Sequence, residues 1–332
     1  MNEKSISFQE AVTEALEEEL ARDPAVVIVG EDIRIASGTG PGLADLSEKF
    51  PGRIIVRMPL VEEMLCGIGL GMNLGGLKPV VQFNHSAFLA LAFSELYQLA
   101  TWRYRMAEKS GPGVVVRVGH IGYPQTGTEL DAALFSSFLH LPNIWIAAPT
   151  FAYHAKGLLK SAIRANRPVL FIEDKVPWIY EQGGAIPDHE YTVPFPSAVV
   201  CKPGNDLTVI SWQFSTLLAT RAAEKLDEAG IGAEVISLQT LQPWDRETVI
   251  ASAKKTNRVL IVEEDFLRGG IGAEISAQIH EALPQCRIKR LASKNMPHYY
   301  EPPHVKSTLP NESAIVEACM ILAGTAHHNG TG

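Results

Sequence analysis

Cysteine is scarce and scattered in this chain. Among 332 residues there are four, Cys66, Cys201, Cys286 and Cys319, and no CxxC spacing joins any two of them. That argues against a zinc knuckle or a disulfide framework and fits a reducing cytosol. Positive charge is also in deficit. Lys and Arg number 29 against 37 Asp and Glu, for a formal net charge of −8, and no basic cluster stands out. A phosphate-backbone partner is therefore not expected. No apolar run is long enough to span a bilayer. The N-terminus, MNEKSISFQEAVTEAL, lacks the apolar core of a signal peptide, so a cytoplasmic protein is expected. Internal repeats and nucleotide loops are missing as well. Gly69-x-Gly71 finds Leu74 where the third glycine of a dinucleotide fingerprint belongs, and Gly270-x-Gly272 finds Ile275. No GxxxxGK[ST] segment occurs.

What remains is an ordinary globular composition, 46% hydrophobic and 20% charged, with length for two domains. Ser7-Phe8-Gln9-Glu10 is a capping-box pattern, and Phe8, Val12, Ala15, Leu16 and Leu20 share one helical face. Strand-like runs follow at Ala25–Val29, Ile54–Val56, Pro79–Phe83, Gly113–Val118, Ile144–Ala147 and Val169–Ile172. Helical patterns lie between them at Glu62–Leu74, Phe88–Lys109, Asp131–His140 and Tyr153–Arg164. Strands alternating with helices predict an α/β domain with a mainly parallel sheet. The second half repeats that alternation, with strands at Asp206–Trp212, Gly232–Ser237 and Arg258–Glu263. Its helices are expected at Phe214–Ala229, Arg246–Lys255, Gly270–Leu283 and Ser313–Leu322. The Pro- and Gly-dense stretch Glu181–Gly204 reads as a linker. The expected organisation is a domain over 1–185, a linker over 186–203, a second domain over 204–324 and a disordered tail over 325–332.

One stretch carries the strongest hint of chemistry. From Met58 the chain reads MPLVEEMLCGIGLGMNLGG, mostly apolar and small, with Glu62 and Glu63 side by side near its start. Acidic residues in a first helical turn complement the helix dipole, which is one reading. The apolar neighbours Leu60, Val61, Met64 and Leu65 suggest another: a carboxyl group with a raised pKa, able to exchange a proton near neutral pH. Gly67, Gly71 and Gly75 recur every four residues, a spacing that lets a second helix approach closely, inside the domain or across an interface.

The chain resembles a known family. GED at Gly30–Asp32, PLVEE at Pro59–Glu63, RYR at Arg103–Arg105 and HLPNIWIAAPT at His140–Thr150 carry the resemblance. So do AKGLLKSAI at Ala155–Ile163, PVLFIE at Pro168–Glu173, LQTLQPWDRETVIASAKKTNRVLIVEED at Leu238–Asp265 and GGIGAEI at Gly269–Ile275. Together they are similar to the β subunit of the thiamine-diphosphate-dependent first component of 2-oxo acid dehydrogenase complexes. The resemblance implies a pyrimidine-binding domain followed by a transketolase-like C-terminal domain. It implies that Glu62 is catalytic: its carboxyl group hydrogen-bonds the aminopyrimidine ring of thiamine diphosphate and favours the tautomer able to deprotonate the thiazolium carbon. Leu60, Phe83 and Phe88 are then further candidates for cofactor contact, one of the aromatics stacking on the pyrimidine. Thiamine enzymes hold the diphosphate through Mg²⁺ with a GDG motif, and this chain has none. The family supplies that motif from a separate α subunit, usually in a heterotetramer of two α and two β chains. No metal ligand is therefore assigned here.

The departures from the family pattern matter too. The histidine that family members carry before the HxPG segment falls at or next to Leu130, where no histidine stands. In QFNHSAFLALAF, His85 intrudes among the expected aromatics, and in SLQTLQP the expected arginine is Gln239. His85 and His120 follow predicted strands, where ligands sit in open α/β sheets, and with His140 they are the substrate candidates; His298 is a weaker one. Three readings follow. The first is a β subunit of an enzyme that decarboxylates a 2-oxo acid and passes the acyl unit to a lipoyl carrier. The second is a split transketolase-like enzyme moving a two-carbon unit from a ketose phosphate to a sugar, lipoyl or carrier-protein acceptor. It is favoured by the polar group Asn84-His85-Ser86. The third is a non-catalytic partner subunit.

Overall fold

The structure is a computed structural model that describes residues 3–31, 33, 43–55, 58–106, 111–120, 122, 130, 133–176, 183–297 and 308–324. The chain divides into two compact units. The first comprises Met1–Ile121, Phe138–Phe195 and Thr240–Pro243; the second comprises Gly122–Ser137, Pro196–Gln239 and Trp244–Gly332.

The first unit is built on a seven-stranded sheet. Its strands are β2 (Val26–Gly30), β3 (Ile54–Ile55), β4 (Lys78–Phe83), β5 (Val115–His120), β6 (Trp145–Ala147), β7 (Val169–Asp174) and β12 (Thr240–Gln242). The order is β12-β6-β7-β5-β4-β2-β3, parallel throughout except for β12, which runs antiparallel to β6. Strands such as β2, VVIVG, are apolar on both faces because both faces of a parallel sheet are covered. Helices α2 (Leu43–Lys49), α3 (Glu62–Leu74), α4 (Phe93–Arg105) and α5 (Ala152–Arg164) connect them. Ahead of these come β1 (Glu3–Ser7) and α1 (Phe8–Arg22), the latter opened by the expected capping box. Ser7 Oγ accepts from Glu10 N at 3.1 Å while Ser7 N donates to Glu10 Oε2 at 2.7 Å.

Helices α1 and α5 pack together through an ion network. The buried Lys156 ammonium meets Glu14 at 3.0 Å and Glu18 at 2.6 Å; Lys160 meets Glu18 at 2.5 Å and also Glu190. Buried lysines persist when each charge is matched in this way.

The second unit holds a five-stranded sheet of order β14-β13-β10-β11-β9, with β9 (Ala198–Lys202), β10 (Leu207–Ser211), β11 (Ala233–Leu238), β13 (Arg258–Phe266) and β14 (Arg287–Ser293). It is parallel except for β9. Its helices are α6 (Phe214–Glu228), α7 (Arg246–Thr256), α8 (Ile271–Ala282) and α9 (Glu312–Ala323). Ala219, Ala222 and Ala223 let α6 lie close to Leu207, Val209 and Val235 of the sheet, and Ile315 and Cys319 of α9 join the same core. Asp245 caps α7 by accepting from Thr248 N at 3.0 Å, and Asn257 ends it in a left-handed conformation at φ 53°.

The structure departs from the sequence reading in definite places. The pattern over Phe88–Lys109 divides into a 3₁₀ turn, Ser86–Ala90, and α4. Asp131–His140 contributes only a 3₁₀ turn, Phe135–His140, and Asp131 lies outside the described residues. The stretch read as a linker contributes two strands: β8 (Gly183–Pro187) pairs antiparallel with β1, and β9 joins the second sheet. The tail over 325–332 lies outside the described residues. Among the described residues no helix is long and apolar enough to cross a membrane.

Candidate active site

In the first unit the carboxyl ends of β2, β4, β5 and β7 line one edge of the sheet. Helix α3 leaves β3 and returns to the parallel strand β4, so it begins at that same edge. Glu62 is its first residue, half-buried, and Glu63 next to it is exposed. Adjacent helical positions point different ways. The apolar neighbourhood expected around Glu62 is present, but it faces outward rather than forming an interior pocket. Leu60 is 64% exposed, Val61 40% and Met64 36%.

The glycines of α3 divide into two kinds. Gly69 is the tightly packed one: a Cβ there would stand 2.7 Å from Val81 Cγ2 of β4. Gly67 and Gly71 face nothing within 4 Å, and Gly75 is the C-cap. Among the described residues, the expected approach of a second helix onto the Gly67-Gly71-Gly75 stripe therefore does not occur within this chain. The reason is that the small residue meeting the sheet is Gly69, on another face. Helices α3 and α4 pack together. Along them and the segment between, Leu74, Leu91, Phe93, Tyr97, Tyr104 and Met106 are exposed, in addition to Leu60, Val61 and Met64.

Beyond Phe83, which is fully buried at the end of β4, come Asn84 and His85. His85 meets Phe88 edge-on, with ring centroids 5.7 Å apart. Ser86 Oγ and His120 Nδ1 lie 3.1 Å apart, both side chains buried, so His120 at the end of β5 is joined to the segment after β4. Phe83, His85, Phe88 and His120 thus gather at the edge where α3 begins. His140 does not: it is exposed and precedes β6, at the end where that strand starts. Leu130 is half-buried, and its neighbours 123–129 and 131–132 lie outside the described residues, as does His298.

A charged cluster underlies this edge. The Arg117 guanidinium on β5 engages both oxygens of Glu173 on β7, through Nη2 to Oε2 at 2.8 Å and through Nε to Oε1, and Nη1 donates to Gln82 Oε1 on β4. All three side chains are buried. Lys175, just past β7, donates its backbone N–H to His120 O at 2.7 Å. Its side chain runs over Gly119, where a Cβ would fall 2.2 Å from Lys175 Cε, so only glycine fits under it. Burial pushes the Lys175 amine down to about 8; Glu173 opposes that shift and Arg117 adds to it. Sequence reasoning missed this group. Its signal is Arg117 itself, a charge in the middle of the otherwise apolar VVVRVGH.

The second unit has its own buried carboxyl. Both oxygens of Glu263 on β13 accept from Gly272 N at 3.1 Å, at the start of α8, whose N-cap Gly270 offers no side chain. A Cβ on Gly272 would stand 2.4 Å from Glu263 Oε1. Gly270 and Gly272 therefore cradle a carboxylate of the chain itself, which accounts for a glycine pair that fails the dinucleotide pattern. Burial pushes the Glu263 carboxyl up to about 8. Gln239, in place of the family arginine, is buried and donates to Ser237 Oγ at 2.8 Å. Among the described residues, no group of three or more His, Cys, Asp or Glu side chains is arranged to hold a metal ion.

Comparison with known proteins fits this geometry. The transketolase pyrimidine-binding domain matches residues 4–176 and the transketolase C-terminal domain matches residues 197–315. A 2-oxoisovalerate dehydrogenase subunit beta from Bacillus subtilis (strain 168) is 33% identical over 323 residues, covering 96% of this chain and 98% of the relative. The chain belongs to the E1 β-subunit family of the 2-oxo acid dehydrogenases. A second member, the pyruvate dehydrogenase E1 component subunit beta of Cyanidium caldarium, is 35% identical over 314 residues, 93% of this chain and 95% of its own. Among solved structures, a split-gene transketolase described as an inactive β4 tetramer superposes with TM-score 0.78 at 22% identity, over 97% of this chain and 99% of its own. A transketolase from Leishmania mexicana gives 0.71 at 16%, covering 98% of this chain and 46% of the transketolase. This E1 β-family chain thus has the transketolase-like fold across both units, and its family is thiamine-diphosphate-dependent.

Proposed function

We propose that this chain is the β subunit of a two-subunit enzyme that decarboxylates a 2-oxo acid and passes the acyl unit to a lipoyl carrier. The observation that carries the reading is Glu62: a half-buried carboxyl that opens α3 at the strand-end edge, beside exposed apolar side chains. Those residues fit the pyrimidine half of thiamine diphosphate. Leu60 offers an apolar surface, the half-buried Phe88 offers a ring face, and Glu62 offers an acceptor or donor for a ring nitrogen, while Phe83, fully buried, can only back the site from within. When bound, the cofactor would supply an electron sink for the chemistry at the donor's carbonyl carbon. The chain's own part is to hold and exchange a proton at the Glu62 carboxyl and to keep water from the apolar side of the ring.

The diphosphate and Mg²⁺ belong, on this reading, to an α subunit carrying a GDG motif, since this sequence has none. The exposed apolar residues of α3 and α4 are the surface such a partner would cover, in an assembly of two α and two β chains. A second reading keeps the cofactor and changes the donor to a ketose phosphate. The buried Ser86–His120 pair favours it, because a polyhydroxylated donor needs neutral hydrogen-bonding groups at the strand ends.

The test is reconstitution with the α subunit, followed by turnover assays with 2-oxo acids and with ketose phosphates, using dye reduction for the first and product sugars for the second. Turnover of 2-oxo acids that Glu62→Gln abolishes supports the first reading. Turnover of ketose phosphates alone replaces it with the second. Full activity in Glu62→Gln overturns both.

A further inference from the structure

The two buried lysines Lys156 and Lys160 of the first unit are each matched by two carboxylates. Lys175, half-buried in the same unit, is not matched among the described residues. The carboxylate beside it, Glu173, already has both oxygens engaged by Arg117, and Asp174 accepts from the Val176 N–H at 2.9 Å. Among the described residues the Lys175 ammonium donates no hydrogen bond and enters no ion pair within 4.0 Å. Its stem is nevertheless fixed. It lies across Gly119 of β5, on a path that a Cβ would block and that Asn84 O also borders, and its own backbone N–H is anchored on His120 O. A cation held in this way and left unmatched among the described residues, at the carboxyl ends of parallel strands, stands where open α/β sheets bind ligands.

We propose that Lys175 is the oxyanion-recognising group of this edge, holding the carboxylate or phosphate of an anionic donor against the ends of β4 and β5. The inference rests on reading this edge as the donor site. Arg117 and Glu173 pair with each other below it and Asp174 turns to the Val176 N–H, so among the described residues the Lys175 ammonium is the cation of this group that no carboxylate pairs. The depressed amine adds a consequence: recognition weakens as pH rises through about 8, when the ammonium loses its proton.

The experiment uses the full chain, alone and reconstituted with its α subunit. Each form is pulsed with acetic anhydride near pH 7.5, and acetylation of each lysine is read by mass spectrometry. Lys175 should label well ahead of the exposed lysines. Pyruvate or fructose 6-phosphate should protect it, while hydroxyacetone, which has the carbonyl without the charge, should not. Protection by pyruvate alone assigns a carboxylate, and protection by the sugar phosphate alone assigns a phosphate. Lys175→Met keeps the stem over Gly119 and removes the charge. It should raise KM for the anionic donor roughly tenfold, as expected for loss of a hydrogen bond to a charged group, and abolish the rise of KM above pH 8. An unreactive Lys175, equal protection by hydroxyacetone, no protection by either anion, or an unchanged KM in Lys175→Met would each overturn the proposal. If an anion protects Lys175 but the reconstituted pair turns over no donor, the proposed enzymatic function fails and the anion site stands.

Discussion

Replacing Glu263 with glutamine should flatten the pH dependence of the second unit's stability. The side chain is fully buried on β13, and burial holds its carboxyl at about 8 against an ordinary 4.5, with Asp265 pushing the same way. The N–H groups of Gly272 and Ile271 and the charge of Arg290 oppose that shift. A carboxyl whose pKa is raised on folding takes up a proton as the chain folds. Its contribution to stability is complete below the unfolded value and is lost as pH rises through the folded one. Between pH 5.5 and 8.5 the folded state should give up roughly 3 kcal/mol at this residue alone. Glutamine cannot ionise, so that part of the slope disappears. The variant also carries a fixed penalty, because its amide nitrogen takes a place where a carboxylate oxygen accepted from Gly272 N. The difference in slope is therefore the diagnostic quantity, rather than the offset. Urea unfolding followed by circular dichroism at several pH values, for the natural chain and the variant, measures it. Parallel stability profiles from pH 5.5 to 8.5 would refute the argument, since they would mean that Glu263 stays ionised in the folded protein.

The glycines of α3 give an opposed pair of expectations. Gly69→Ala should destabilise by about 1–3 kcal/mol, because its Cβ would press on Val81, whereas Gly71→Ala should stabilise the isolated chain by about 1 kcal/mol through helix propensity. Thermal melts of the two variants check both signs. Gly71→Leu should leave the isolated chain folded yet block assembly with the α subunit, as size-exclusion chromatography of the mixture would show; normal assembly would mean that no partner approaches Gly71. Lys160→Met should cost no more than about 1 kcal/mol in urea unfolding, because Glu18 and Glu190, once released, reach water. Glu62→Gln should leave the melting temperature and assembly unchanged while removing most turnover.

The elements legible in the sequence were those with strong periodicity and clear ends. Helix α3 begins and ends where its pattern does, and α1 has the reciprocal cap that Ser7 and Glu10 announce. The elements that escaped were short or sat at edges. β8 reads GGAIP, a string of turn formers, and becomes a strand only because β1 lies alongside to pair with it. β14, RIKRLAS, is half-exposed along most of its length and offers little apolar signal. In the unbroken apolar run SAFLALAF, composition alone cannot separate a 3₁₀ turn from the α-helix that follows, since each buries a leucine, Leu89 in the turn and Leu96 in the helix. At the site, the sequence pointed to Glu62 through its neighbours and to His85 and His120 through their places after strands. It did not reveal Lys175, because a lysine after an acidic pair looks like a solvated surface residue. Only the register of β5 against β7, with Gly119 opposite Glu173, shows that its stem lies over a glycine.

The position of Glu62 joins the chemistry proposed here to assembly. A carboxyl group that must exchange a proton with a weak base needs surroundings drier than those of a first helical turn in water, where it would stay ionised. Within this chain Glu62 is only half-buried, and the side chains flanking it are apolar but turned outward. The same outward face continues along α3 past Gly67 and Gly71, and α4 adds exposed Phe93, Tyr97 and Tyr104. Nine of the eleven large hydrophobic side chains exposed among the described residues fall between Leu60 and Met106. A folded chain in water seldom keeps so concentrated an apolar surface without covering it. On the proposed reading, the contact that covers this surface also desolvates Glu62, so binding the α subunit and arming the carboxyl are a single event. Turnover should then appear only in the assembled enzyme, in step with formation of the complex, and Glu62→Gln should remove it without preventing assembly.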